Sequence, residues 1–247
     1  MRRTAPIPTL SQYVSTAADR QRWTSDLFDR TAPYYDRICQ VMSVGTDASY
    51  RREALARNGI GSGQRVLDLA TGTGLLARAA ALLVGHEGRV VGSDLSRGML
   101  HEAQATTSGA LVQAAAEHLP FRDRSFDAVT MGYALRHVAD LETLFATCHR
   151  VVRPGGRVIL LEITKPRSLV GRALTRAYFG SFVPLLSFAI TGSREARVLM
   201  RYYWDTIDHC VPPETIIEAL HQAQFQDVTR YVHRGIFSEY VAVKPAD

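Results

Sequence analysis

From residue 10 to about residue 60 the apolar positions recur at roughly helical spacing, and beyond that the period changes. "SDLFDRTAPYYDRICQVM" predicts helix broken at Pro33, and "SYRREALARNGIGSGQ" predicts a second helix closed by glycines. From Arg65 short apolar runs alternate with helical patterns. The runs lie at 65–70, 89–94, 110–115, 126–135 and 157–163, and helices are expected over 75–84, 97–106 and 140–152. Apolar runs separated by helices predict a parallel sheet covered on both faces. Residues 168–208 interrupt the alternation with helical, aromatic-rich sequence. A helix over 213–223 and the strand-like runs "QDVTRYV" and "EYVAVKP" finish the chain. The economical reading is one domain spanning 1–247. It comprises an N-terminal helical cap (1–60), a core (61–166), a lid insertion (167–210) and a C-terminal helix with strands (211–247).

The apolar stretch "AYFGSFVPLLSFAITG" (177–192) is 16 residues long, contains Pro184 and has arginines on both sides. A membrane span needs about 20 apolar residues, so a lid or interfacial helix is expected instead. Composition adds that 46% hydrophobic content in 247 residues supports a sizeable core. The net charge of +5 is uneven: Lys165, Arg167, Arg172, Arg176, Arg194, Arg197 and Arg201 face a single Glu195 within one segment. Nucleic acid, an anionic membrane surface, an acidic small molecule or plain solvent could each meet that segment. The opening "MRRTAPIPTLSQYVS" has basic residues without an apolar run behind them, so no secretory signal is read. Cys39, Cys148 and Cys210 show neither disulfide nor zinc spacing, and no metal is expected. A cytoplasmic protein is the expectation.

The chemistry begins at "VLDLATGTGLLARA" (66–79), an apolar run that ends in glycines and passes into an alanine-rich helix. Gly72-x-Gly74-x-x-Ala77 fits a dinucleotide-binding turn, and Asp94 falls 20 residues after Gly74. Two features favour S-adenosylmethionine over a dinucleotide. Asp68 sits inside the strand, where a carboxylate needs a cation, and the amino group of a methionine moiety would supply it. "RVVRPGGRVIL" (150–160) reads as helix, Pro-Gly-Gly turn and strand, which the dinucleotide reading leaves without a use.

The pieces "LFDRTAPYYDRICQVMSVG", "VLDLATGTG", "VVGSDLSRGML", "AEHLPFRDRSFDAVT", "YALRHVAD", "RVVRPGGRVILLEITKP" and "MRYYWDTI" occur in order over residues 25–208. Together they resemble the ubiquinone/menaquinone C-methyltransferase family of class I S-adenosylmethionine-dependent enzymes. The resemblance implies an α/β fold: a Rossmann-like, doubly wound, seven-stranded, mostly parallel sheet with a helical cap and an α-helical lid. It implies methyl transfer, with S-adenosyl-L-methionine as cofactor. Gly72 and Gly74 would let backbone approach the ligand, Asp94 would accept the ribose hydroxyls, and Met99 would pack on adenine. Asp68, Ala70, Thr73, Leu95, Ala116 and Gly132 complete the expected cofactor set. Where the family has "QADAE" or "QANAE", this chain has "QAAAE", so Ala115 stands in for the residue that reads the adenine amine.

In the family, the segment at "YALRHV" (133–138) carries an Arg-Asn pair linked to hydroquinone activation. Arg136 matches the arginine and is expected to hold a phenolate or organise a water. His137 replaces the asparagine and could take a proton or only hydrogen-bond the acceptor. Substrate walls are expected from Tyr34, Tyr35, Met42, Tyr133, Tyr202, Tyr203 and Trp204, an aromatic set suited to a flat or lipophilic acceptor. The function expected is C-methylation of a phenolic or quinol-type ring. The departures at Ala115, at His137 and at Cys39 or Gln40, one of which stands where the family has an asparagine, keep open a natural-product tailoring enzyme acting on carbon, oxygen or nitrogen. The fold also hosts enzymes without methyl transfer. A nicotinamide oxidoreductase would leave Asp68 idle. A nucleic-acid partner is disfavoured, because the lid aromatics are not interleaved with base-reading polar residues and "VPPET" is not an Asn/Asp-Pro-Pro-Tyr/Phe motif. The partner expected is a small lipophilic or aromatic substrate, with peripheral membrane contact through the basic lid and homodimerisation left open.

Overall fold

The computed structural model describes residues 4–246. Seven strands form one sheet in the order β3-β2-β1-β4-β5-β7-β6: β1 Arg65–Leu69, β2 Arg89–Asp94, β3 Ala110–Gln113, β4 Phe126–Gly132, β5 Val152–Ile163, β6 Gln226–His233 and β7 Phe237–Val243. The first five are parallel; β7 runs antiparallel to β5, and β6 to β7. The expected doubly wound, mostly parallel sheet is thus present. Chain order reverses between β1 and β4, and a crevice opens outside the carboxyl ends of strands at such a reversal.

Two hydrophobic cores cover the two faces. One gathers Leu55, Val66, Leu76, Ala80 and Ile159 under α2 (Asp47–Arg57) and α3 (Leu75–Val84). The other gathers Leu67, Val129, Leu144, Phe145 and Leu220 under α5 (Leu141–Val151) and α9 (Pro213–Gln222). α4 (Arg97–Gln104) is capped by Ser96, whose hydroxyl accepts from the Met99 amide at 3.1 Å.

Three expectations about elements need correction. α1 runs unbroken from Ala17 to Met42 through Pro33. An interior proline costs about 3 kcal/mol in isolation, but Leu27, Ala32 and Ile38 are buried here, and tertiary packing outweighs local propensity. The strand expected over 126–135 ends at Gly132, because Tyr133 takes φ +59° and the chain turns into a 3-10 helix at Leu135–His137. The Pro-Gly-Gly turn is not a separate link: it lies inside β5 as an irregularity between the pairings of Phe126 with Val152 and Ala128 with Arg157.

The lid is helical as expected. α6 (Leu169–Ala177), a π-helical turn (Tyr178–Phe182) and α7 (Val183–Thr191) form one continuous 23-residue helix, and α8 (Arg194–Asp208) follows. The helix is longer than the apolar run read from the sequence, because it continues back through Arg172 and Arg176. By length and composition it could cross a membrane.

Candidate active site

At the switch point, the ends of β1, β2 and β4 and the first half of α1 enclose a cleft of about 880 Å³. Two of its wall residues, Ala70 after β1 and Tyr133 after β4, have left-handed backbones (φ +48° and +59°). Non-glycine residues in that region cost of order 1–3 kcal/mol each, and such strain clusters at working sites. Gly72 is also left-handed (φ +59°), and a side chain added to it would meet nothing, so its backbone borders open space. Gly74 has a different reason: its φ of +85° starts α3, and a Cβ would lie 2.4 Å from Thr107 Cγ2. Its freedom serves helix packing.

Asp94 ends β2 at the cleft. Its Oδ2 accepts from the Gly72 amide and its Oδ1 from the Ser96 amide, both at 2.8 Å. Burial raises its pKa, and these amides with that of Leu95 oppose the rise by favouring the anion. Asp68 lies behind the wall, fully buried, accepting from Thr71 Oγ1 and Thr130 Oγ1 at 2.7 Å each. Burial pushes it up to about 6, against those hydroxyls and the Arg51 guanidinium. Within the protein, two hydroxyls are its immediate partners.

α1 bonds to the loops that follow β1 and β2. Asp36 accepts from Thr73 Oγ1 and pairs with Arg78 at 3.0 Å. Asp29 Oδ1 accepts from Ser96 Oγ at 2.6 Å and from the Gly98 amide at 2.7 Å. A Cβ at Gly98 would come 2.8 Å from the Asp29 backbone, so glycine permits this approach.

His137 projects into the cleft between Phe28 (edge-on, 5.5 Å) and Tyr202 (stacked, 5.6 Å). Both ring nitrogens are buried with no partner. Burial and then the Arg136 and Arg20 charges hold its pKa well below the usual histidine value, so the ring is neutral at physiological pH. It is poised to accept or donate one hydrogen bond, and it is a weak base.

Arg136 does not line the cleft, contrary to the expected place at the acceptor. Its guanidinium is fully buried, donates to Glu162 and to Thr206 Oγ1 (3.0 Å), and lies 4.3 Å from the Tyr203 ring centre. Neighbouring charge explains the placement: Glu162 on β5 supplies the counterion a buried arginine requires. Tyr203, Tyr35 and Tyr133 line both this cleft and a second chamber of about 1490 Å³. That chamber is lined by apolar residues (Met42, Ile163, Phe179, Met200, Phe237) and by polar ones (among them Tyr50, Arg57, His233, Arg234).

Of the expected cofactor residues, Ala70, Gly72, Asp94, Leu95, Met99, Ala115, Ala116 and Gly132 line the cleft, while Asp68, Thr73 and Gly74 support it from behind. Of the expected substrate walls, Tyr35, Tyr133 and Tyr203 line the cleft and Met42 the second chamber. Tyr34 is exposed, Trp204 is buried in the core, and Tyr202 backs His137 with its hydroxyl 3.1 Å from Thr24 Oγ1. The sequence reading missed Gln21, Thr24, Ser25 and Phe28, which α1 contributes to the wall, as well as Ser96 and Glu117. It also gave no role to Asp29 and Asp36. Asp29 and Asp36 share one face of α1 with Arg22, Asp26 and Gln40, which reads as an ordinary solvated face and gave no signal.

Comparison with known proteins places the chain among methyltransferases. The ubiE/COQ5 methyltransferase family matches residues 15–244. A demethylmenaquinone methyltransferase of Symbiobacterium thermophilum is 35% identical, covering 84% of this chain and 86% of its own. The ubiquinone/menaquinone biosynthesis C-methyltransferase UbiE of Pseudomonas paraeruginosa is 33% identical, covering 92% and 91%. The crystal structure of a SAM-dependent methyltransferase from Aquifex aeolicus superposes with a TM-score of 0.60 at 15% identity, over 84% of this chain and 97% of that one.

Proposed function

The chain belongs to the ubiE/COQ5 methyltransferase family, an S-adenosylmethionine-dependent methyltransferase, and on that premise we propose that it methylates a ring carbon of a quinol-type aromatic in quinone biosynthesis. The single observation that carries the reading is the pairing of Asp94, anchored by two backbone amides, with the open left-handed turn at Gly72. A carboxylate fixed in that way offers its remaining lone pairs to a ribose diol, and hydrogen bonds to a charged group are worth about 1.5–3 kcal/mol. Met99, Ala115 and Ala116 give the adenine a flat apolar seat.

The cofactor supplies an electrophilic methyl group on a sulfonium. The chain's own residues orient the acceptor and exclude water. Tyr35, Tyr133 and Tyr203 stand between cleft and second chamber, where a ring can be held in line, and alignment contributes about 7–11 kcal/mol. Neutral His137 accepts a hydrogen bond from the acceptor's phenolic hydroxyl, raising electron density on the ring carbon. With the cofactor bound, that carbon would take the methyl as the methyl–sulfur bond breaks to leave a neutral thioether. The ring proton would then pass to solvent to restore aromaticity.

A second reading is transfer to oxygen or nitrogen of a small polar aromatic. It is favoured by the polar residues of the chamber, Tyr50, Arg57, His233 and Arg234 among them. Calorimetric titration with S-adenosylhomocysteine tests the shared premise: wild type binds and Asp94→Ala does not. An acceptor screen with isotope-labelled methyl donor then separates the two readings, since carbon methylation of a quinol yields a ring methyl and the alternative yields a methoxy or methylamino product. Absence of homocysteine-ligand binding by wild type overturns both.

A further inference from the structure

The lid helix Leu169–Thr191 carries apolar residues on both its buried and its exposed side. The side it turns inward holds Thr175, Phe179, Val183, Pro184 and Ser187, all buried. Thr175 and Ser187 satisfy their hydroxyls within the helix, donating at 2.7 Å to the Gly171 and Val183 carbonyls, so they ask for no partner. The outward side presents Leu169 (80% exposed), Val170, Leu174 (66%), Phe182, Leu185 (56%) and Phe188. A helix facing water on its outer side places polar residues there. A contiguous apolar surface of this kind marks something that covers it.

Charge identifies the cover. Arg167, Arg172 and Arg176 border the stripe, and Arg194, Arg197 and Arg201 stand exposed on neighbouring α8 with exposed Val198 among them. Glu195 alone opposes them in this segment. We propose that this face docks on a bilayer containing anionic phospholipid. The helix lies in the plane of the interface, with Leu174, Phe182, Leu185 and Phe188 at the acyl boundary and the arginines among the headgroup phosphates. Spanning is a different geometry and conflicts with the inward side, where Phe179 and Val183 belong to the protein core. The same lid gives Phe179 and Met200 to the second chamber, so the docked surface and the chamber share one element. A lipophilic acceptor leaving the bilayer would meet that element first. Docking itself stands whether or not the transfer reaction is as read above.

The test is sedimentation of the full chain with phosphatidylcholine vesicles that contain or lack phosphatidylglycerol, at low and high salt. The expected result is binding to the anionic vesicles that weakens at least about tenfold without phosphatidylglycerol or at high salt. Phe182→Glu/Leu185→Glu abolishes it and leaves S-adenosylhomocysteine affinity unchanged. Should that variant misfold, Arg176→Ala/Arg197→Ala, at two exposed arginines, is expected to weaken binding several-fold. Failure of wild type to bind either vesicle overturns the proposal. So does a concentration-dependent dimer that the Glu variant breaks while vesicle binding is absent, which gives the face to a second copy of this chain. In wild type, S-adenosylhomocysteine binding without vesicle binding rejects docking alone, and vesicle binding without S-adenosylhomocysteine binding rejects the functional reading alone.

Discussion

The guanidinium of Arg136 donates to the carboxylate of Glu162 in a place where neither side chain reaches water. Glu162 also accepts from the Leu135 amide at 2.8 Å, and burial raises its pKa against the pull of Arg136. The pair therefore fixes the short turn that carries His137 and props the Tyr203 ring, and Arg136 acts as a positioning residue. Removing one member strands the other as a buried charge, which costs about 3–5 kcal/mol. Arg136→Met and Glu162→Gln are each expected to lose stability on that scale in urea denaturation. Arg136→Met/Glu162→Leu should lose less than either single change; additive losses would show that the pair is not a unit.

The glycines of the turn should separate under substitution. Gly74→Ala forces a methyl against Thr107 in a left-handed residue, and is expected to cost about 2–4 kcal/mol of stability. Gly72→Ala meets no protein atom, so its stability cost is only the left-handed backbone, about 1–2 kcal/mol. Its added methyl points into open cleft instead, and S-adenosylhomocysteine affinity should fall at least about tenfold. Thermal unfolding with and without ligand reads both effects, and equal ligand-induced shifts for Gly72→Ala and wild type would contradict the assignment.

The sheet was legible because apolar runs such as 89–94 and helices such as 75–84 carry their own periods, and both appear with those bounds. What failed depended on contacts distant in sequence. Pro33 reads as a break, yet α1 continues through it with Leu27, Ala32 and Ile38 buried along its length. Arg136 reads as a free cation at the site, and only the fold reveals that Glu162 lies beside it. Asp29 and Asp36 look like a solvated helix face until α1 lies over Gly98 and Thr73. The cleft residues from β1 and β2 were visible because their spacing within one turn defines the site; those from α1 were not.

His137 is held neutral, its pKa depressed by burial and by the Arg136 and Arg20 charges. A histidine with a depressed folded pKa disfavours folding only as pH falls below its unfolded value near ~6.5. No inflection near that value is therefore expected in kcat/KM for a phenolic acceptor. His137→Phe keeps the ring packing between Phe28 and Tyr202 and removes the nitrogens. Its kcat is expected to drop about 100-fold, the lower range for a lost proton-handling group. Unchanged kcat would leave His137 a packing residue.

Asp68 works against the fold that holds it. Its pKa stands at about 6, raised by burial, whereas an unfolded aspartate titrates near ~3.9. Between those values the folded state binds more protons than the unfolded one, so stability falls as pH rises from about 4 to 6 and stays reduced above. The shift corresponds to about 3 kcal/mol at full development. Asp68→Asn removes the charge and retains polar atoms for Thr71 and Thr130. Without ligand it should be more stable than wild type at pH 7 by roughly 1–3 kcal/mol and no more stable at pH 4. A residue kept at such a cost beside a cofactor cleft is expected to act on the cofactor, through attraction for the methionine ammonium. Asp68→Asn should therefore bind S-adenosylmethionine at least about tenfold more weakly, a loss of about 1.4 kcal/mol. Denaturation at both pH values together with calorimetric titration separates the two effects. Gained stability with unaltered affinity would mean that the buried charge has no part in binding.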